Sequence, residues 1–258
     1  MRHLTPKVLS NSQVSDRYFE MDFEWPHNAP PPSPGSFFTV RVSESEIPLL
    51  RRPFAFSGFS RGNSTASMLY ERRGTATRQL TTRSPGETID ILAPLGVPFP
   101  LPRSETLPVL IAGGIGMGPI FYLAAELHSS GQEAVLIVGA RTAGIVPDRT
   151  EFQLVETILA TDDGSAGCHG TVTDALQNRP DLLDRRLEYF ACGPLPMLRA
   201  VHQHAKARNE CCWVSVEQTM GCAVGACMGC AVRVRGPAEY ARVCTEGPVF
   251  DSEEIVWT

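Results

Sequence analysis

Val109-Leu110-Ile111-Ala112-Gly113-Gly114-Ile115-Gly116-Met117-Gly118-Pro119 is the stretch on which the fold turns. It lies inside Thr106–Ala125, 20 residues without a charge, which by length alone imitates a membrane-spanning helix. Gly113, Gly114, Gly116, Gly118 and Pro119 would break the middle of such a helix. The same residues read instead as a buried strand, a glycine turn and the start of a helix, along which Ile120, Leu123, Ala124 and Leu127 recur at helical spacing. That reading predicts no membrane insertion and opens a parallel α/β domain.

Toward the C-terminus, Ala134-Val135-Leu136-Ile137-Val138-Gly139 is the next apolar strand. Thr157–Thr161 and Leu187–Cys192 follow, each ending in a polar or Gly-rich turn where such sheets place ligands. Toward the N-terminus the pattern shortens. Alternating stretches such as Phe37–Val42 and Ile89–Leu92 are separated by Pro- and Gly-rich turns, including Pro30–Gly35, and predict an antiparallel β-barrel. The expected architecture is α+β and multidomain: a β-barrel at 1–103, a parallel α/β nucleotide-binding domain at 104–212, and a small C-terminal unit at 213–258.

With 258 residues, 43% hydrophobic and 20% charged, the chain has room for two domains and a small module of ordinary globular composition. A net charge of -5 leaves no electrostatic footprint for nucleic acid. Met1 to Lys7 lead into polar sequence without an apolar stretch, so no secretory signal is expected. Of eight cysteines, four fall in the C-terminal unit and Cys211-Cys212 are adjacent, which makes poor bridging partners. A reduced, cytoplasmic compartment is the expectation.

Cys222, Cys227 and Cys230 follow the spacing C-x4-C-x2-C, with Cys244 after a short interval of thirteen residues. This is the ligand pattern of a plant-type [2Fe-2S] loop, and a one-electron centre restricts the chemistry to electron transfer. Gly221, Gly225 and Gly229 let the backbone fold tightly and aim N–H groups at the sulfurs. Zinc is the competing metal, but structural zinc sites draw ligands from two close pairs, whereas three cysteines here crowd one loop.

Two turns read as a nucleotide crevice. Gly113-Gly114-Ile115-Gly116 and Cys192-Gly193-Pro194 each end a strand of one parallel sheet and face the same edge. The bland alternatives are tight strand–helix packing for the glycines and a packed strand-end thiol for Cys192. Asp162-Asp163-Gly164-Ser165 reads as turn chemistry with hydrogen bonds to spare for a nucleotide. In the β half, Arg51-Arg52-Pro53-Phe54-Ala55 places cations that suit a phosphate. Leu69-Tyr70-Glu71 with Gly74-Thr75 adds a ring that could stack on a flavin, with barrel surface as the open alternative for both.

Taken in order, these residues resemble the ferredoxin-reductase superfamily, and within it the electron-transfer subunits of class 1B dihydroorotate dehydrogenases. Arg52-Pro53-Phe54-Ala55 looks like that family's flavin motif, Gly74-Thr75 its flavin-phosphate turn, and Ala93-Pro94-Leu95-Gly96 its Gly-Pro-Leu-Gly turn. Gly113-Gly114-Ile115-Gly116 and Cys192-Gly193-Pro194 are similar to its nicotinamide-nucleotide turns. Glu217, the cysteine loop and Val243–Phe250 resemble its cluster region.

The resemblance implies FAD held by Arg52, Pro53, Phe54, Ala55, Leu69, Tyr70, Glu71, Gly74 and Thr75. It implies NAD at Gly113, Gly114, Gly116, Cys192, Gly193 and Pro194, with Cys192 near the nicotinamide, and a [2Fe-2S] cluster on Cys222, Cys227, Cys230 and Cys244. It further implies a heterotetramer of two plus two with an FMN-containing catalytic subunit that oxidises dihydroorotate in pyrimidine biosynthesis. Ala55 and Ala93 depart from the pattern, standing where the family has a hydroxyl residue and a glycine.

Other readings remain. They are a related flavin and iron–sulfur subunit of a sulfide dehydrogenase or a ferredoxin:NADP oxidoreductase, a self-sufficient flavin reductase, and a non-enzymatic iron–sulfur redox sensor. Arg141 offers a cation that could meet a 2′-phosphate, which leaves NAD against NADP open on the residues alone.

Overall fold

The structure, a computed structural model, describes residues 1–43, 45 and 47–257. The β half contains β1 (Arg2–Leu4), β2 (Val8–Gln13), β3 (Tyr18–Glu24), β4 (Phe37–Arg41), β5 (Arg52–Ala55), β6 (Gly58–Ser60), β7 (Thr65–Glu71), the short helix α1 (Thr75–Leu80) and β8 (Asp90–Leu95). These strands make two four-stranded antiparallel sheets, ordered β1-β8-β4-β5 and β2-β3-β7-β6, in place of one closed barrel. The physical reason is a corner. Between β5 and β6 the chain leaves one sheet for the other, with Phe56 N–H donating to Ser36 O and Ser57 N–H to Ser67 O. An isolated bridge between Lys7 and Thr88 marks the opposite seam. Inward-facing aromatics fill the space between, Phe38 lying 5.3 Å from Phe23 and 4.6 Å from Phe56 by ring centroids.

The second half alternates β9 (Leu107–Gly113), α2 (Met117–Ser129), β10 (Val135–Ala140), α3 (Glu151–Leu154), β11 (Glu156–Thr161), β12 (Cys168–His169), α4 (Val172–Gln177), α5 (Pro180–Leu183), β13 (Leu187–Cys192), α6 (Leu195–Ala207) and β14 (Cys211–Ser215). Every residue of β9 and β13 is buried, as expected of strands covered on both faces. β14 runs through the expected division at 212/213 and pairs with β13 in the same sheet. The C-terminal unit then adds the hairpin β15 (Ala231–Arg233) and β16 (Tyr240–Arg242), and β17 (Val249–Asp251) returns antiparallel to β14. The sheet order is β12-β11-β10-β9-β13-β14-β17. Successive strands thus step outward from β9 in one direction and then in the other, so the order reverses between β9 and β13.

α2 joins the halves. Its Gly118 sits against Ser57 and Leu69, and Tyr122 Oη donates to Pro32 O at 2.8 Å in the buried seam. Arg149 crosses the same seam, pairing with Glu20 of β3 and with Glu151 at 2.6 Å while its guanidinium lies 5.3 Å over the Phe121 ring. Its side chain is 10% exposed, so removing it strands two carboxylates beside an apolar wall. Arg149→Ala is expected to cost about 3 kcal/mol and lower the thermal midpoint by about 6–12 °C. A midpoint within 2 °C or so of the parent would show that the seam does not depend on this cation.

Candidate functional site

The topological switch lies between β9 and β13, where an open α/β sheet leaves a crevice outside its strand ends. The Gly113–Gly116 turn and the Cys192–Pro194 turn meet there. A Cβ on Gly116 would run into the Cys192 carbonyl and the Gly193 nitrogen, and one on Gly193 would stand 2.9 Å from Gly113 O. The glycines are therefore required by the contact of one turn with the other. That contact fixes the floor on which a nucleotide can lie, so the packing reading and the nucleotide reading are compatible.

In front of this floor a cavity of about 740 Å³ opens against the β half. Arg52, Pro53, Phe54, Ala55, Leu69, Tyr70, Glu71, Gly74 and Thr75 all line it, together with Gly116 and Cys192. Gly113, Gly114, Gly193 and Pro194 are not among its lining residues and stand behind it in the two turns. The two arginines separate. Arg51 is spent on Asp90, with Nη2 2.7 Å from Oδ1, whereas Arg52 lines the cavity and donates to Leu50 O. Glu71 is held by Arg17. Tyr70 is 1% exposed and its hydroxyl donates to Asn11 Oδ1 at 2.7 Å, so it can offer the cavity only ring surface. At the corner of α1, Thr77 Oγ1 accepts from the N–H groups of Arg73 and Gly74, which shapes the Gly74-Thr75 turn.

The C-terminal unit supplies the remaining wall through Ser215, Val216, Glu217, Gln218, Met220 and Pro248. In the sequence Glu217 goes with the cysteine loop; its place in the cavity follows from the path of the chain after β14. The enclosing walls desolvate its carboxyl and raise its pKa, against the pull of the Arg73 charge. The thiol of Cys192 is buried at the floor and pushed up to about 12, first by burial and then by the nearby Glu217, with a Ser215 hydrogen bond opposing. It is a neutral thiol at neutral pH.

At the far end of the sheet, Asp163 Oδ1 accepts from Ser165 N and Oγ, and Ser165 Oγ accepts from Ala143 N. These bonds hold the Asp162–Ser165 turn against the segment after β10, which carries Arg141.

The cysteine loop lies beyond Met220. Gly225 N–H donates to Cys244 Sγ at 3.2 Å, the N–H groups of Ala226 and Cys227 each reach Cys222 Sγ at 3.3 Å, and Gly229 N–H reaches Cys227 Sγ at 3.5 Å. Such donors stabilise thiolates, and the N–H groups of Val224, which reaches Cys222 Sγ at 3.5 Å, and then of Cys227 and Ala226 push Cys222 down to about 6 against its partial burial. Cys230 and Cys244 are buried and Cys227 is exposed. Among the described residues no three His, Cys, Asp or Glu side chains gather as they would around a single ion. A [2Fe-2S] centre does not require that, because each of two irons takes two of the four thiolates. Four cysteines, with N–H groups aimed at the sulfurs of Cys222, Cys227 and Cys244, fit such a centre.

A two-sheet β half, a parallel sheet with its crevice facing that half, and a cysteine loop beside the shared cavity define a ferredoxin-reductase-like electron-transfer protein. Residues 217–256 match the family model described as the iron-sulfur cluster binding domain of dihydroorotate dehydrogenase B. Similar solved structures include an NADH-dependent reduced ferredoxin-NADP oxidoreductase, at TM-score 0.86 and 26% identity over 98% of this chain and 90% of that one. A ferredoxin reductase in carbazole 1,9a-dioxygenase is similar in fold, at TM-score 0.68 and 17% identity over 81% of this chain and 66% of that one. The chain is 36% identical over 253 residues, 96% of each protein, to the dihydroorotate dehydrogenase B (NAD(+)) electron transfer subunit of Geobacillus thermodenitrificans. It is 35% identical over 255 residues, 97% of each, to that of Desulforamulus reducens. The chain belongs to the family of dihydroorotate dehydrogenase B (NAD(+)) electron transfer subunits.

Proposed function

We propose that this chain passes electrons from a dihydroorotate-oxidising partner chain to NAD, in pyrimidine biosynthesis in the cytoplasm. The observation that carries the reading is the shared cavity. Its walls come from the β half, from the nucleotide turn and from a segment whose Met220 stands two residues before Cys222. A flavin there would lie between the cluster loop and the nicotinamide crevice. FAD, when bound, exchanges single electrons on one side and a hydride on the other, which a cluster alone cannot do.

The residues divide the work. Arg52, Pro53, Phe54, Ala55, Leu69, Tyr70, Glu71, Gly74 and Thr75 hold FAD within 1–103. Gly113, Gly114, Gly116, Cys192, Gly193 and Pro194 form the NAD turns of 104–212. Cys222, Cys227, Cys230 and Cys244 hold the [2Fe-2S] cluster of 213–258. Of the two adjacent arginines, Arg52 is the one left for a phosphate, because Arg51 is bound to Asp90. Ala55 carries no hydroxyl, so its contribution at the flavin is its backbone N–H. The partner carries FMN and assembles with this chain two plus two. No helix among the described residues is long and apolar enough to cross a membrane.

Co-expression with the catalytic chain is the test. A complex whose dihydroorotate-dependent NAD reduction requires both chains is the expected result. Full FAD and cluster content with neither a complex nor that turnover would move the assignment to a sulfide dehydrogenase or ferredoxin:NADP oxidoreductase subunit.

A further inference from the structure

Cys244 sits in a tight turn. The N–H groups of Thr245 and Glu246 donate to Arg242 O at 3.0 and 2.9 Å, and the Glu246 carboxylate closes the turn from the other side by accepting from Arg242 N at 2.6 Å. The same carboxylate takes the Arg242 guanidinium, with Nε 3.1 Å from Oε1 and 3.0 Å from Oε2, and Nη2 also donating to Oε1. Thr245 Oγ1 adds a bond to Oε1 at 3.0 Å. The Arg242 N–H, two nitrogens of its guanidinium and the Thr245 hydroxyl thus converge on one carboxylate.

The guanidinium does not stop at the turn. Nη1 donates to Gly225 O at 3.0 Å, in the middle of the loop between Cys222 and Cys227, and Gly225 N–H is the group that reaches Cys244 Sγ. Gly225 has φ +82, and a Cβ there would stand 2.9 Å from Thr245 Cγ2 and 3.3 Å from Arg242 Nη1. The loop carrying three cysteines is thus pressed onto the turn carrying the fourth, and one arginine touches both. Reduction potentials of iron–sulfur centres follow net charge nearby and hydrogen bonds to the sulfurs. Both levers meet here.

We propose that Arg242 and Glu246 form a clasp that sets the reduction potential of the cluster. Arg242 holds Gly225 so that its N–H stays on the Cys244 sulfur, and Glu246 holds Arg242 while offsetting its charge beside the ligands. Arg242 and Glu246 are positioning residues, since neither supplies a ligand. The inference rests on the four cysteines holding the cluster, as proposed above.

The test is a potentiometric titration of the cluster's EPR signal in the complex with the catalytic chain, with iron, acid-labile sulfide and FAD counted in each sample. Arg242→Gln leaves a bare carboxylate and a freed loop, and is expected to lower the potential. Glu246→Gln leaves an uncompensated guanidinium and is expected to raise it. Each shift should change the ratio of reduced to oxidised cluster about tenfold at a fixed potential, which is 59 mV for a one-electron couple, with FAD content unchanged.

A merely structural role moves both variants the same way, and that result, or no shift in either, overturns the clasp. If the Gln variants lose the cluster, Arg242→Lys decides. It keeps the charge without the two-sided fork, so the potential should fall below that of the unsubstituted protein by less than the 59 mV expected for deleting the charge, and an unchanged potential and EPR line shape would overturn the proposal. Iron and sulfide absent from the unsubstituted protein would instead remove the cluster reading itself.

Discussion

Cys227→Ala is expected to abolish dihydroorotate-dependent NAD reduction while leaving NADH-dependent reduction of a soluble dye through FAD close to the parent rate. The side chain is exposed, so its removal opens no cavity in the fold. On the proposed ligand set, what it removes is one of the four thiolates that hold the cluster. The remaining three cannot complete two tetrahedral irons, and iron and acid-labile sulfide should fall with the activity. The dye reaction is expected to survive because the cavity and both nucleotide turns lie outside the loop. Two measurements on one sample therefore separate the halves of the electron path. Loss of both reactions would place Cys227 in the flavin site, and retention of both would remove the loop from the path.

Gly116→Ala is expected to give a large loss of stability for a single added methyl group. The added carbon has backbone on its far side, the carbonyl of Cys192 and the nitrogen of Gly193, and neither can swing away as a flexible side chain would. Overpacking of this kind costs about 1–3 kcal/mol, which lowers the thermal midpoint by about 2–12 °C in a protein of this size. Nucleotide affinity should fall as well, because relief requires the two turns to part and they are the floor of the crevice. Gly62→Ala is the control: a Cβ there meets nothing within 4 Å, and its effect should stay within about 0.5 kcal/mol. Equal midpoints for the two variants would show that the turns do not need their close approach.

Much of the architecture was legible because it is written in local periodicity. The run from Val109 to Pro119 became a strand, a turn and a helix, and Leu187–Cys192 is a strand over the residues expected. A fully buried strand and a glycine turn are properties of consecutive residues, and nothing distant is needed to recognise them. The β half was read less completely. Its strands were evident, but its division into two sheets depends on the corner at Phe56-Ser57, where neighbouring residues bond to Ser36 and Ser67 in different sheets. No window of sequence contains both partners.

The candidate site shows the same division. The cysteine loop stood out in the sequence because Cys222, Cys227 and Cys230 lie within nine residues, and such a loop is a local object. Which of two adjacent arginines would face the cavity was not legible. Arg51 turns to Asp90, 39 residues away, because β5 and β8 both pair with β4. The place of Glu217 in the cavity wall, the bridging of Glu20 and Glu151 by Arg149, and the reach of Arg242 to Gly225 are likewise contacts between separated segments.

By itself, then, the sequence determined most of the elements, the spacing of the cysteine loop and the family resemblance, each carried by residues near one another along the chain. Only the tertiary structure decided which charges are spent in pairs, which residues face the shared cavity and which turns touch. Those outcomes follow from strand register and from the packing of α2 across the seam, and register is a property of pairs of segments that no single segment encodes.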